Sequence, residues 1–419
     1  MRQRLLSIAM ALFIAAVEFA PAWGAVGGKS AMNASEANLL LEEQVHELLV
    51  LLKGRRVGMI TNPTGVDGRL RMIADRLRED HETTVVAFFA PEHGLRGNVQ
   101  AGQKIADQRD PATSIPVFSL YGPQPAPTPE SLEGIDVLVF DIQDVGARFY
   151  TFEWTMTYAM EAAARKHIPF VVFDRPNPIG GVKVEGAPNV VDHGLVGRLF
   201  PGKPFGVATR HGLTIGELAT LVNNEWLSPK ADLHVVKMRG WRRPMYFDDT
   251  GRIWIAPSPN MPTLDTALVY PGMCIFEGTN LSEGRGTTKP FETVGAPFVH
   301  PLELAAALEK KHVPGVIFRP TYFTPAFSKW KDQMCGGVQA HVTDRDAFEP
   351  VHSALVLLKT LLELYPDQVE VKPYAATLMG VPGLDKRIRT ESVEAIEAGW
   401  QDNLRAFMRL REKYLLYGN

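Results

Sequence analysis

Five strand-like segments punctuate residues 55–238 of the chain: RRVGMIT (55–61), TTVVAFFA (83–90), IDVLVFD (135–141), IPFVVFD (168–174) and DLHVVKM (232–238). Their apolar residues follow one another instead of alternating with polar ones. A strand with one wet face shows a period of two, whereas a strand apolar at consecutive positions has to be covered on both faces. Helices supply that cover, and helix-forming stretches lie between the runs at 69–79, 153–166 and 214–225. Thr214-Ile-Gly-Glu217 has capping-box spacing, and so does Asn33-Ala-Ser-Glu36, which opens a Leu-rich stretch running to about Leu52. The alternation predicts an α/β fold, with a Rossmann-like, doubly wound and mostly parallel sheet over residues 34–262.

Regularity then drops. Residues 255–292 are rich in Pro, Gly, Asn and Thr and are expected to be irregular, and long loops of this kind usually carry function. Beyond them, helical patterns at 301–312 and 352–366, a strand at 336–344 and one long helix at 393–417 predict a smaller α+β C-terminal domain, 263–419, that completes a cleft. At the other end, Arg2 and Arg4 precede an apolar run (5–17), with the small residues Ala22 and Gly24 behind it. Residues 1–24 are therefore expected to be a signal peptide, with the protein periplasmic or extracellular after cleavage. The run is shorter than the ~20 residues that span a bilayer, and no cysteine follows it, so no stable membrane anchor is expected.

A net charge of -3 lacks the basic footprint of a nucleic-acid binder. The two cysteines, Cys274 and Cys335, could form a disulfide or stay as buried thiols. No HExxH, no GxGxxG behind the first strand, no GxxxxGK[ST] and no GxSxG occurs, so no metal and no nucleotide cofactor is expected, and a serine-hydrolase elbow is unsupported. Oligomeric state is left open.

In an open parallel sheet, ligands bind outside the carboxyl ends of the strands. At those ends stand Asn62, then Glu92 and His93, then Asp141 with Arg148 and Tyr150, then Asp174 and Arg175. The irregular stretch adds Glu277, Asn280, Glu283 and Arg285. A carboxyl against apolar strand ends loses solvent, which favours the protonated form that a general acid needs. Glu92 in Pro91-Glu92-His93-Gly94 has that position. It could equally cap the following turn or pair with Arg96, and His93 could simply orient it. Asp141 and Asp174 could as well bond loop amides, Arg148 or Arg175. Tyr150 and Trp154 could stack on a flat ligand face, although a core position is the stronger reading for Trp154.

FAPEHGLRG, SLYG, VFDIQDVGARFYTF, VFDRPNPIGG, PSPNMPT, YPGMCIFEGTNLSEGRGT and CGGVQAHVTD, in that order, resemble the NamZ family of exo-β-N-acetylmuramidases over residues 55–419. The resemblance implies a Rossmann-like domain joined to a smaller C-terminal domain, with the site in the cleft between them. It implies release of N-acetylmuramic acid from the non-reducing ends of peptidoglycan chains or muropeptide fragments, with Glu92 as the general acid. Glycoside cleavage also takes a base or nucleophile, and Asp141, Asp174, Glu277, Glu283 or the substrate's own acetamido group could serve. The lactyl carboxylate of muramic acid calls for an arginine, with Arg148, Arg175 and Arg285 as candidates. A non-catalytic periplasmic muropeptide-binding protein is the alternative, and a metal-dependent phosphate-ester hydrolase a more distant one.

Overall fold

The computed structural model describes residues 31–80, 82–100, 102–103 and 106–418. The expected signal peptide lies outside them. Seven strands, β1 (Arg56–Thr61), β2 (Thr84–Ala90), β3 (Gln108–Arg109), β4 (Pro116–Ser119), β5 (Val137–Asp141), β6 (Phe170–Phe173) and β7 (Leu233–Val236), form one sheet. Their order is β3-β4-β2-β1-β5-β6-β7. All neighbours are parallel except the short edge strand β3, which runs antiparallel to β4. The six parallel strands thus have the Rossmann order, winding outward in both directions from β1.

The consecutive apolar residues are explained by the two faces of this sheet. Ile60, Phe89, Leu138, Phe140, Phe170 and Val172 belong to one buried cluster; their chain neighbours Met59, Phe88, Val139, Val171 and Phe173 belong to the other. Helices α1 (Ala34–Leu52) and α2 (Ile73–Glu79) supply apolar residues to the second cluster, and α3 (Phe152–Lys166) and α4 (Ile215–Glu225) to the first. Each fully buried phenylalanine contributes about 2–3 kcal/mol of transfer free energy. Both capping signals form: the Asn33 side chain accepts from the Glu36 N–H, and Thr214 and Glu217 make a reciprocal capping box.

The C-terminal part holds an antiparallel sheet of β8 (Thr293–Ala296), β9 (Val316–Phe323) and β10 (Cys335–Val342), ordered β8-β10-β9. Around it lie α5 (Leu264–Met273), α6 (Pro301–Glu309), α7 (Pro350–Leu364) and α8 (Pro373–Met379). Helix α5 falls inside the stretch expected to be irregular. Thr263 caps it by accepting from the Thr266 N–H, and Pro271 and Gly272, which disguise it in sequence, sit in its last turn. Gly272 is there for contact with α7, since a Cβ at this position would stand 1.8 Å from the Pro350 carbonyl oxygen. Behind α9 (Leu384–Thr390), the long final helix is instead two helices, α10 (Val393–Ala398) and α11 (Gln401–Arg411), and a 3-10 turn, Glu412–Tyr414. The periodicity continues through 393–411, but Gly399 ends α10 and Trp400 buries itself at the joint. Cys274 and Cys335 are free, buried thiols.

Candidate active site

Strand β2 delivers its last residue, Ala90, to the carboxyl edge of the sheet, and the chain turns at once through Pro91-Glu92-His93-Gly94. His93 has φ +72° and Gly94 φ +81°. Glycine takes this left-handed conformation freely, whereas for His93 it costs about 1 kcal/mol. The ring of His93 offsets that cost: it is buried, and its Nδ1 donates to the Val99 carbonyl at 2.9 Å. His93 therefore braces the loop, and Glu92 beside it stands in the wall of a cavity of about 900 Å³.

Two donors orient the Glu92 carboxylate. The Gly102 N–H donates to Oε1 at 3.0 Å, and the Thr151 hydroxyl, at the N-terminus of α3, donates to Oε2 at 2.9 Å. Each oxygen keeps lone-pair capacity for a ligand. The Tyr121 phenol, just past β4, is held well above its usual pKa by burial first and by the Glu92 charge next. Tyr270 and Tyr374, also in the wall, are raised mainly by burial, with Cys274 and Glu277 as the next causes for Tyr270 and Glu277 for Tyr374. All three remain O–H donors near neutral pH, suited to an oxygen-rich ligand.

The irregular segment after α5 contributes a second charged group. Arg285 donates to Glu277 at 2.5 Å and lies 3.3 Å from Glu283, and Lys329 Nζ stands 2.8 Å from Glu283. Burial raises the pKa of Glu277, and the Arg285 charge opposes that rise. Burial works against the Arg285 charge, but Glu277 and Glu283 outweigh it and hold the guanidinium above its ordinary value. Lys329 also donates to the carbonyls of Phe276 and Leu281, so it is a strut of this loop as much as a charge.

Of the residues singled out in sequence, Glu92, Glu277, Glu283 and Arg285 meet in this cavity. The others are placed elsewhere. Arg148 is fully buried behind the wall and donates to the carbonyls of Val196 and Leu378, 2.6 Å each, two residues that line it. Tyr150 packs edge-on against Tyr270, centroids 5.8 Å apart. Trp154 is core, its indole donating to the Arg148 carbonyl. Asn280 clamps the loop at 368–370 through both ends of its amide. Asn62 accepts from the N–H and hydroxyl of Thr64, closing its own turn. Asp141 and Arg175 form a buried ion pair at 2.5 Å, and Asp174 accepts four hydrogen bonds, from Arg175 N, Gly216 N, Thr214 Oγ1 and Tyr417 Oη. The polar residues at these strand ends thus stitch the sheet to α4 and to the C-terminal tail. Thr151, Tyr121, Tyr270, Tyr374 and Lys329 were not singled out, because each reaches the site only through tertiary packing.

Behind the wall, Asp144, Glu153 and His211 are all buried and bring one donor atom each within 4.8 Å of one another. Burial dominates here: it raises Glu153 well above its usual range, pushes Asp144 up to about 7 with help from Glu153, and depresses His211 to about 4. His211 Nδ1 accepts from the Leu213 N–H, which puts the ring proton on Nε2, 3.3 Å from Glu153 Oε2. Among the described residues this is a convergence of three metal-type donors, and the neighbouring Arg148 charge bears on Glu153 and works against a cation there.

Comparison with known proteins matches this arrangement to one family. Its two models, described as the N-terminal and C-terminal regions of exo-beta-N-acetylmuramidase NamZ, match residues 57–265 and 268–417. The peptidoglycan beta-N-acetylmuramidase NamZ of Bacillus subtilis (strain 168) is 48% identical over 369 residues, 87% of this chain and 88% of that protein. A crystal structure of a DUF1343 family protein from Bacteroides fragilis NCTC 9343 superposes with a TM-score of 0.80 at 38% identity, covering 93% of this chain and 100% of that one. A second from the same organism has a TM-score of 0.69 at 29% identity, covering 90% and 98%. With both regions matched in order, and with a two-part fold shared at these identities, the chain belongs to the NamZ family of exo-β-N-acetylmuramidases, which are glycoside hydrolases.

Proposed function

We propose that this chain releases N-acetylmuramic acid from the non-reducing ends of peptidoglycan chains or muropeptides, with Glu92 as general acid. The observation that carries the reading is Glu92 itself, set in a large cavity and oriented by the Gly102 N–H and the Thr151 hydroxyl, with the Tyr121 phenol beside it. Cleavage takes a proton for the leaving oxygen and a second group on the other face of the sugar. Among the carboxylates considered for that role, Asp141 and Asp174 are committed elsewhere, and Glu283 is held by Arg285 and Lys329. Glu277, which also pairs with Arg285 but with no second cation, is the less committed of the two cavity carboxylates and takes the second role, with Arg285, which lines the same cavity, for the lactyl carboxylate. The Arg2–Gly24 pattern supports export, which puts the enzyme where cell-wall glycans are.

The test is incubation of the purified protein with the disaccharide of N-acetylmuramic acid β-linked to N-acetylglucosamine, followed by chromatography. Release of both sugars is expected without added metal and in the presence of EDTA. Tight binding without release would support the muropeptide-binding alternative instead.

A further inference from the structure

A second groove, about 470 Å³, lies beside the cavity at the carboxyl end of β4. Tyr121 lines both: one space contains Glu92, and the other is bounded by β4 and the loop behind it. That loop reads Pro123-Gln-Pro-Ala-Pro-Thr-Pro129, with proline at every second position. Alternating prolines restrict the backbone before any ligand arrives and remove N–H donors while leaving every carbonyl as an acceptor. Further bonds fix the loop, with Gln124 donating to the Ala126 carbonyl and Ser131 Oγ to the Thr128 carbonyl, and the Ser119 N–H ties the end of β4 to Asp107 on the facing wall. Among the described residues lining the groove, Asp107 and Glu130 are acidic and none is basic.

Such a groove suits a ligand rich in hydroxyl donors and free of negative charge. We propose that it holds the leaving sugar, a neutral N-acetylhexosamine, on the far side of Tyr121 from the cavity that takes the muramic acid. This rests on the glycosidase reading above. Glu92 and Tyr121 then stand at the scissile oxygen, between the two sugars. The rigid proline rim keeps the ordering cost of binding small. A peptide stem in the groove, the other occupant of suitable size, is separated by the test.

The experiment compares kcat/KM on two substrates that share muramic acid but differ in leaving group: an aryl β-N-acetylmuraminide and the disaccharide ending in N-acetylglucosamine. The ratio of the two constants within one preparation is independent of the fraction of folded enzyme. Ala126→Trp, which fills the groove, is expected to lower the disaccharide-to-aryl ratio at least tenfold, and Gln124→Ala severalfold. An unchanged ratio in both variants overturns the proposal. So does a ratio that falls only when the disaccharide carries a peptide stem, which would give the groove to the peptide. Absence of wild-type turnover on either substrate overturns the glycosidase reading and the groove assignment with it.

Discussion

The Thr151 hydroxyl donates to Glu92 Oε2 at 2.9 Å, joining the N-terminus of α3 to the turn behind β2. The orientation of the carboxylate thus depends on an element 59 residues away in sequence. An acid has to meet its leaving oxygen within hydrogen-bond reach, and a misplacement of about 1 Å costs on the order of 100-fold in rate. Thr151→Val is expected to lower kcat by about 10- to 100-fold with KM nearly constant, and Thr151→Ser to restore most of the loss. A fall in KM-dependent binding alone, or no rescue by serine, would show that Thr151 acts otherwise.

Under the proposed function Glu277 serves as the second carboxylate, and Glu277→Gln keeps its shape while removing its charge. Loss of a base or nucleophile is expected to reduce kcat at least 100-fold. A rate within about threefold of wild type would assign the role to the substrate's acetamido group.

Arg285 also has a structural task. Its removal leaves Glu277 without its partner and Glu283 with Lys329 alone. Stranding a largely buried carboxylate costs about 3 kcal/mol, so Arg285→Met is expected to lower the urea midpoint clearly. Glu277→Gln in the same chain is expected to return part of the loss, since the stranded charge is then gone. A double variant less stable than Arg285→Met would contradict this view of the pair.

Much of the scaffold was legible in sequence for one physical reason: burial on both sheet faces writes consecutive apolar residues such as Val137–Phe140, and capping writes Thr214-Ile-Gly-Glu217. Helix α5 was hidden because Pro271 and Gly272 serve its packing against α7 and not its propensity. Glu92 was one of several carboxylates at strand ends, and it was the resemblance of Pro91-Glu92-His93-Gly94 to the family motif that singled it out. A place at the carboxyl end of a strand discriminates poorly. Asp141, Asp174 and Arg175 occupy strand ends of the same kind, yet their bonds run inward, and a polar strand end satisfies loop amides as readily as it meets a ligand. Thr151, Tyr121 and Tyr374 carry no local signal, since a threonine before a helix and an isolated tyrosine occur everywhere.

Asp144 gives a pH-dependent stability signature. Its pKa is pushed up from 3.8 to about 7, by burial first and by the Glu153 charge second. Between those values the folded chain keeps a proton that the unfolded chain has released. The stability from this group is therefore full below about pH 4 and is lost as the pH rises towards 7. Asp144→Asn stays neutral throughout. Its stability relative to wild type is expected to increase from pH 4.5 to pH 8, by up to roughly 3 kcal/mol, as measured by urea unfolding at both values. A difference that is constant with pH, or that shrinks, would show that the carboxyl is not buried as described.

Under the proposed function Glu92 supplies the proton for cleavage at a muramic acid linkage. The most direct measurement is turnover of the disaccharide of N-acetylmuramic acid and N-acetylglucosamine by wild type and by Glu92→Gln, with the melting temperature followed alongside. The expected result is release of N-acetylmuramic acid by wild type and a loss of at least 1000-fold in kcat in a variant that melts within a few degrees of it. Turnover by a folded Glu92→Gln variant within tenfold of wild type would contradict the assignment.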